Sequence, residues 1–286
     1  MKNLYIIFCL FTAVVFSSCD EIKGPYEEYP EIPPGDRKIL LEDFTGHQCG
    51  NCPDAAKEAM KIDSIYKGRI IIVATHVGFF ADTNKTGKFT YNFKTPPGDQ
   101  IDADYGNIGD ALPKGMVNRV KYNNKYVLNW GDWSTVVAQQ LAIAPDVNIK
   151  LENTYDATER NLKVDVEVAY VKQGKPNQKL VIYLVEDSIV NWQKQYNPPL
   201  GDIPNYVHRH VLRKALTPVY GDVLSSGETI PGKTIKKTYD NIKISTAYNQ
   251  EHCHIVAFVI EDKGNDTNPA VPNRPVLQVE EKKLME

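Results

Sequence analysis

The sequence predicts an α/β domain followed by an all-β domain, and two observations carry that prediction. Lys38 to Val77 reads as strand, tight turn, helix and strand, whereas from Val147 onward apolar residues recur with period two. A chain of 286 residues accommodates two ordinary domains. The hydrophobic share of 42% and charged share of 24% are those of a folded globular protein. A net charge of −3 gives no electrostatic footprint for nucleic acid, so that class of partner is not expected.

Residues 1–18 read as a targeting segment, with Lys2 as its positive end and Leu4 to Phe16 as an apolar core too short to span a bilayer. Phe16-Ser17-Ser18-Cys19 resembles the bacterial lipoprotein signal, with Phe in place of the usual aliphatic residue. That resemblance implies acylation of Cys19 and a lipid-anchored protein of the cell envelope, periplasmic or surface-exposed; an ordinary secretory peptide is the other reading. Residues 19–37 are rich in Pro and acidic side chains and read as an extended tether.

The α/β domain is expected over 38–145. Ile39, Leu40, Leu41 and Phe44 form a short apolar run, broken at Thr45-Gly46 before Cys49-Gly50-Asn51-Cys52-Pro53. Pro53 suits the first turn of a helix. Ala55, Ala59, Ile62 and Tyr66 then recur on one helical face, and Gly68 supplies a left-handed stop. Two thiols therefore stand at a helix N-terminus, whose positive end favours a thiolate. A redox pair, an inert local disulfide and half of a zinc site all remain open, although no second CxxC supplies further zinc ligands. Arg69 to Val77 is β-branched and apolar on both faces, as in a central parallel strand. Residues 78–110 read as an ordered insertion with a short helix near its end. A strand from Met116 to Tyr122 after Leu112-Pro113, a turn at Asn123-Asn124, a strand at 126–128 and a helix from Trp130 to Ile143 complete the domain.

This order, with CxxC at the first helix, resembles the thioredoxin fold. The resemblance implies that Cys49 attacks, that Cys52 resolves and that Asp43, six residues before Cys49, handles the resolving thiol's proton. It implies also that Pro113 is a cis-proline which, with Leu112, holds substrate backbone. Gln48 and CGNC depart from the family's usual tryptophan and CGPC. The long stretch between the thiols and Pro113 is expected to form a lid or rim. Such chemistry requires sulfurs that solvent and substrate can reach. For Asp43 a solvent-facing strand position is the other reading. His47 either lowers the thiol pKa when protonated, beside the substrate, or caps the loop.

Residues 146–286 alternate cleanly in 147–151 and 162–170, and further strands follow at 179–185, 234–244, 252–261 and 275–282. Six or seven such strands predict an antiparallel sandwich of the immunoglobulin-like kind. Asn191 to Arg213 reads as a loop-rich segment, either a binding tip or a long connection. His208/His210 and His252/His254 are two HxH pairs, each able to offer two imidazoles to a metal or to hydrogen-bond locally. Cys253 reads as a buried core thiol. No serine-hydrolase elbow, zincin helix, Walker loop or dinucleotide fingerprint is present, and neither cofactor nor metal is expected.

The lipoprotein signal, LLEDFTGHQCGNCP, Leu-Pro-Lys-Gly with Val117-Asn118-Arg119, and YVHRHVLR together resemble the Bacteroidota outer-membrane lipoprotein family typified by a twenty-eight-kilodalton protein. Two functional expectations follow. One is a lipid-anchored thiol–disulfide oxidoreductase with a protein thiol or disulfide as partner. The other is a surface binding or adhesion module in which the disulfide is structural.

Overall fold

The computed structural model describes residues 36–198, 200–267 and 270–285. The signal segment, Cys19 and most of the tether lie outside the described residues. Arg37, expected in the tether, already belongs to the fold: it is buried and donates to the Val276 carbonyl at 3.1 Å.

The apolar run Ile39–Thr45 is β1, the periodic segment Cys52–Tyr66 is α1 and Ile70–His76 is β2, with β1 and β2 parallel. Lys67 and Gly68 both take left-handed φ values to end α1. The insertion carries the helix α2, Pro96–Asp104, started by the Thr95 side chain accepting from Gly98 N. The Leu112–Pro113 peptide is cis, and β3, Lys114–Val117, runs antiparallel to β1. This strand is shorter than expected because Asn118 and Arg119 both adopt left-handed φ and turn the chain out of the sheet. The expected strand at 126–128 contributes one bridge, between Leu128 and Gly115. Helix α3, Trp133–Leu141, follows, burying Trp133, Val136, Val137 and Leu141.

The second half supplies β4 (Val147–Asp156), β5 (Asn161–Tyr170), β6 (Gln178–Glu186), β7 (Ile189–Gln195), β8 (Gly201–His208), β9 (Val211–Ala215), β10 (Asp222–Val223), β11 (Thr234–Lys243), β12 (Cys253–Glu261) and β13 (Val276–Lys283). The segment expected to be loop-rich is thus the antiparallel hairpin β7–β8 followed by β9. Pro204 is tolerated in β8 because β7 and β8 form a two-stranded sheet of their own, with an unpaired edge for a residue lacking N–H.

The expected boundary at 145/146 does not divide the sheet. One eight-stranded sheet runs β13-β12-β6-β9-β2-β1-β3, with β10 on β6, so strands from both halves hydrogen-bond in one layer. The join is β9, antiparallel to β6 and parallel to β2 through Ala74 and Val211. The described residues form one compact unit. The reason lies in the burial of β2, β6 and β12 on both faces: such strands need neighbours on either side, and each half supplies the other's. Above one face of the shared sheet α1 and α3 cover Ile39 and Leu41, and a three-stranded sheet β11-β5-β4 covers Leu180, Ile182 and Leu184. Ile101, Tyr105 and Ile108 pack against Leu40, Phe44, Val181 and Tyr183 on the opposite face.

Candidate functional site under the β7–β8 hairpin

Side chains alternate along a strand, so Leu41, Asp43 and Thr45 share the face of β1 that lies beneath α1, where Leu41 packs on Ala55 and Ala59. At the end of that face the chain turns through Gly46 to Asn51 and enters α1 at Cys52. Cys49 and Cys52 are joined in a disulfide. Asp43, Cys52, Ala56, Met60, His76 and Tyr206 line a single cleft enclosing about 520 Å³ of empty space, part of it open to solvent.

Asp43 is 3% exposed, and among the described residues its Oδ1 has no hydrogen-bond partner. Burial pushes its carboxyl up to about 7. The solvent-facing reading of Asp43 is therefore set aside. The sign of its effect on stability follows from linkage: an acid whose folded ionisation lies above its unfolded one favours the fold fully at low pH and loses that contribution as pH rises through about 7. Asp43→Asn is accordingly expected to match the wild type near pH 4 and to exceed it above pH 8. Full burial sets a ceiling of roughly 4 kcal/mol, and water in the adjoining cleft reduces it to about 2. Urea titrations at the two pH values measure it, and equal differences at both would reject a strained carboxylate.

Cys49 and Cys52 are each only 2% exposed. The condition that solvent reach the sulfurs is not met in this conformation, and the cause is the β7–β8 hairpin. Lys194 N donates to the His47 carbonyl and Tyr196 N to the Gly50 carbonyl, each at 2.8 Å. The Gln193 amide donates to the carbonyls of Cys49, at 2.9 Å, and Gly46, at 3.3 Å. Asn197 donates to Asp54 in the first turn of α1. Tyr196 lies so close to Gly50 that a Cβ there would overlap its ring.

His47 is wholly buried, with Nε2 2.8 Å from the Asp82 carbonyl and its ring against Phe89 and Phe93. Burial lowers its pKa, so it stays neutral and lends no charge to a thiolate; what it offers the hairpin is its carbonyl. Pro113 is buried and Leu112 half-buried; they precede Lys114, which pairs with Phe44 at the same end of β1 as the CGNC turn. The hairpin residues Gln193, Tyr196 and Tyr206 were not singled out from the sequence. Their role depends on where a segment more than 140 residues away folds back, which local pattern does not encode.

The HxH pairs are not brought together. His208 is buried at the end of β8, His210 occupies a left-handed turn beside Asp187, and His254 pairs with Glu281 at 3.5 Å on β12. No group of three or more His, Cys, Asp or Glu arranged to hold a metal occurs among the described residues. Cys253 is buried and unbridged, its thiol pushed up to about 12 by burial.

Fold and site together define a β-rich protein whose eight-stranded sheet carries a CxxC disulfide under a hairpin. The chain belongs to the Omp28 outer membrane protein family, whose profile matches residues 98–286, and its place is the outer membrane of the cell envelope. The matched region holds the hairpin and the second half but not the CGNC turn. No curated protein sequence matches the chain. Among solved structures it is similar to HBP35 of Porphyromonas gingivalis, with a TM-score of 0.60 at 17% identity, covering 88% of this chain and 76% of that one. It is similar also to protein AGR_C_4864 of Agrobacterium tumefaciens, with a TM-score of 0.50 at 13% identity, covering 88% and 97% respectively. Likeness at these identities is likeness of fold. Among the described residues no helix is long and apolar enough to cross a membrane.

Proposed function

We propose that the chain is a thiol–disulfide exchange protein of the outer membrane, lipid-anchored at Cys19, whose CGNC pair works when the β7–β8 hairpin lifts. The observation that carries this reading is Asp43: a buried carboxyl lacking a partner at Oδ1, in the same cleft as Cys52, costs stability, and a purely structural disulfide has no use for it. The order β2-β1-β3 with α1 between the parallel strands, and the cis Leu112–Pro113 peptide, support a thioredoxin-like reading of the first half. The stacking of β4-β5-β11 on β6-β12-β13 supports an immunoglobulin-like reading of the second, with β7 to β10 inserted between its third and fourth core strands.

In the reduced pair the Cys49 thiolate, at the positive end of α1, attacks one sulfur of a substrate disulfide and expels the other as a thiolate. Asp43 as carboxylate then takes the Cys52 proton. The Cys52 thiolate attacks Cys49 Sγ in the mixed disulfide, closing Cys49–Cys52 and releasing the second substrate thiol. Two electrons pass to the substrate, and a dithiol protein of the envelope returns them; with a dithiol substrate the same steps run backwards.

A specific observation favours a second reading. The sealed sulfurs suit a structural disulfide that fixes the CGNC turn as the seat of the hairpin, in a binding module. Titration in glutathione buffers, allowed to reach equilibrium, separates the two. A potential between about −120 and −270 mV, with insulin reduction lost in Cys49→Ser, is expected for exchange, whereas a potential below about −300 mV marks the structural role.

A further inference from the structure

Three imidazoles from three separate segments meet around one ring beneath the hairpin. Phe93 stacks on His76 at 4.4 Å and 15°, touches His208 at 4.4 Å and meets His47 edge-on at 5.6 Å. His76 and His208 are 5.5 Å apart. His47 follows β1, His76 ends β2, and His208 ends β8, so the cluster joins the hairpin to the body of the sheet.

The surroundings favour neutral rings. Neither nitrogen of His76 has a hydrogen-bond partner among the described residues. His208 faces the Trp192 carbonyl at 3.3 Å and the Tyr206 ring. The charged group acting on His76 from β9 is Arg213, which is repulsive and already occupied with Glu186 and the Tyr91 hydroxyl. The Asp82 carboxylate acts on His47 and is shared with Lys94. His210 and Arg209 line the adjoining cleft and face Asp187. The remaining carboxyl in that cleft is Asp43, which is protonated below about pH 7 and so offers no counter-charge in acid.

We propose that His47, His76 and His208 around Phe93 form an acid-released latch, which holds the β7–β8 hairpin over the disulfide at neutral pH and lets it go when the imidazoles take up protons. This deepens the exchange reading by supplying the regulation of its site, although release does not require the pair to be catalytic. The sign is fixed by linkage. Burial holds His208 down to about 4 and His76 well below its ordinary value, while in an opened hairpin His208, which leaves with β8, returns to about 6.5, so opening takes up protons and is favoured as pH falls through 6.5. For His208 alone the opening constant rises about thirtyfold between pH 7.5 and pH 5.

The test reduces the full chain with a phosphine at about pH 7.5 and pH 5, normalising each rate to an unstructured CGNC peptide. Alkylation and mass spectrometry then count the freed thiols. An acceleration of about tenfold or more at pH 5 is expected for the wild type. His208→Phe, which keeps a ring and removes the titrating nitrogens, is expected to lose most of it. Equal normalised rates at the two pH values in the wild type would overturn the latch. Hydrogen exchange on the wild type decides the matter without any variant: acid-induced loss of protection confined to 189–208 supports the latch, and loss spread over the whole sheet overturns it. An opened hairpin with no protein-disulfide turnover would instead remove the catalytic reading and leave the latch standing.

Discussion

Arg119→Met is expected to destabilise the fold by about 3 to 5 kcal/mol, the cost of leaving one member of a buried ion pair alone. Arg119 has no exposed surface and Glu42 is 1% exposed. The guanidinium grips Glu42 from Nε at 2.8 Å and from Nη2 at 2.6 Å, donates to the Tyr183 hydroxyl at 3.2 Å, and lies 5.3 Å from the Phe258 ring. Glu42 is on β1, Tyr183 on β6 and Phe258 on β12, so one side chain ties both halves of the shared sheet together. Its left-handed φ, with that of Asn118, brings it back over β1. The mutant strands the Glu42 carboxylate in an apolar core, whereas Glu42→Leu with Arg119→Met removes both charges and is expected to recover most of the loss. Urea denaturation measures all three variants. Lys163→Ala serves as the control: its pair with Asp165 is solvent-exposed, and its loss is expected to leave the urea midpoint essentially unchanged. A loss at Arg119 as small as that at Lys163 would show that the two halves cohere without the pair.

That tie explains what the sequence made legible and what it did not. Strand β1, helix α1 and strand β2 were readable because burial imposes a period on each: continuous apolar runs for strands covered on both faces, and a four-residue apolar recurrence for the helix. The strands of the second half were readable for the same reason. Their pairing across position 145 was not, because the runs at 70–76, 180–185 and 255–260 are apolar on both faces and accept a neighbour on either edge without further signal. Val117-Asn118-Arg119 stood out, yet nothing local says that Arg119 is a core residue; its burial depends on Glu42, 77 residues earlier. The hairpin was hidden by its own chemistry. In β7, Gln193 and Lys194 meet the carbonyls of a loop rather than a hydrophobic layer, and polar residues matched to a polar surface carry no apolar period. Asp43 was placed through family resemblance, and its burial then gave that placement a physical reason. The imidazole cluster was beyond reach because His208 arrives from a segment more than 130 residues beyond His47 and His76.

Gly50→Ala is expected to raise the rate at which small reductants reach Cys49–Cys52 by about 10- to 100-fold at neutral pH. Gly50 carries no left-handed strain, so the backbone itself admits alanine. The obstacle is Tyr196, whose ring occupies the space of the added methyl while its N–H holds the Gly50 carbonyl at 2.8 Å. Overpacking of this kind costs roughly 1 to 3 kcal/mol. Here the cost falls on the closed hairpin and not on the sheet, because lifting β7 and β8 relieves the overlap and leaves the shared sheet intact. Each 1.4 kcal/mol taken from the closed state raises the open fraction about tenfold, which gives the range above. Tyr196→Ala reaches the same end from the other side, by removing the ring that covers the turn. Gly131→Ala, where nothing lies within 4 Å of the new methyl, is expected to leave the rate unchanged. Should Gly50→Ala fold and yet be reduced as slowly as the wild type, the hairpin would not be what limits access to the sulfurs. Both its part in gating exchange and its release by acid would then lose their basis.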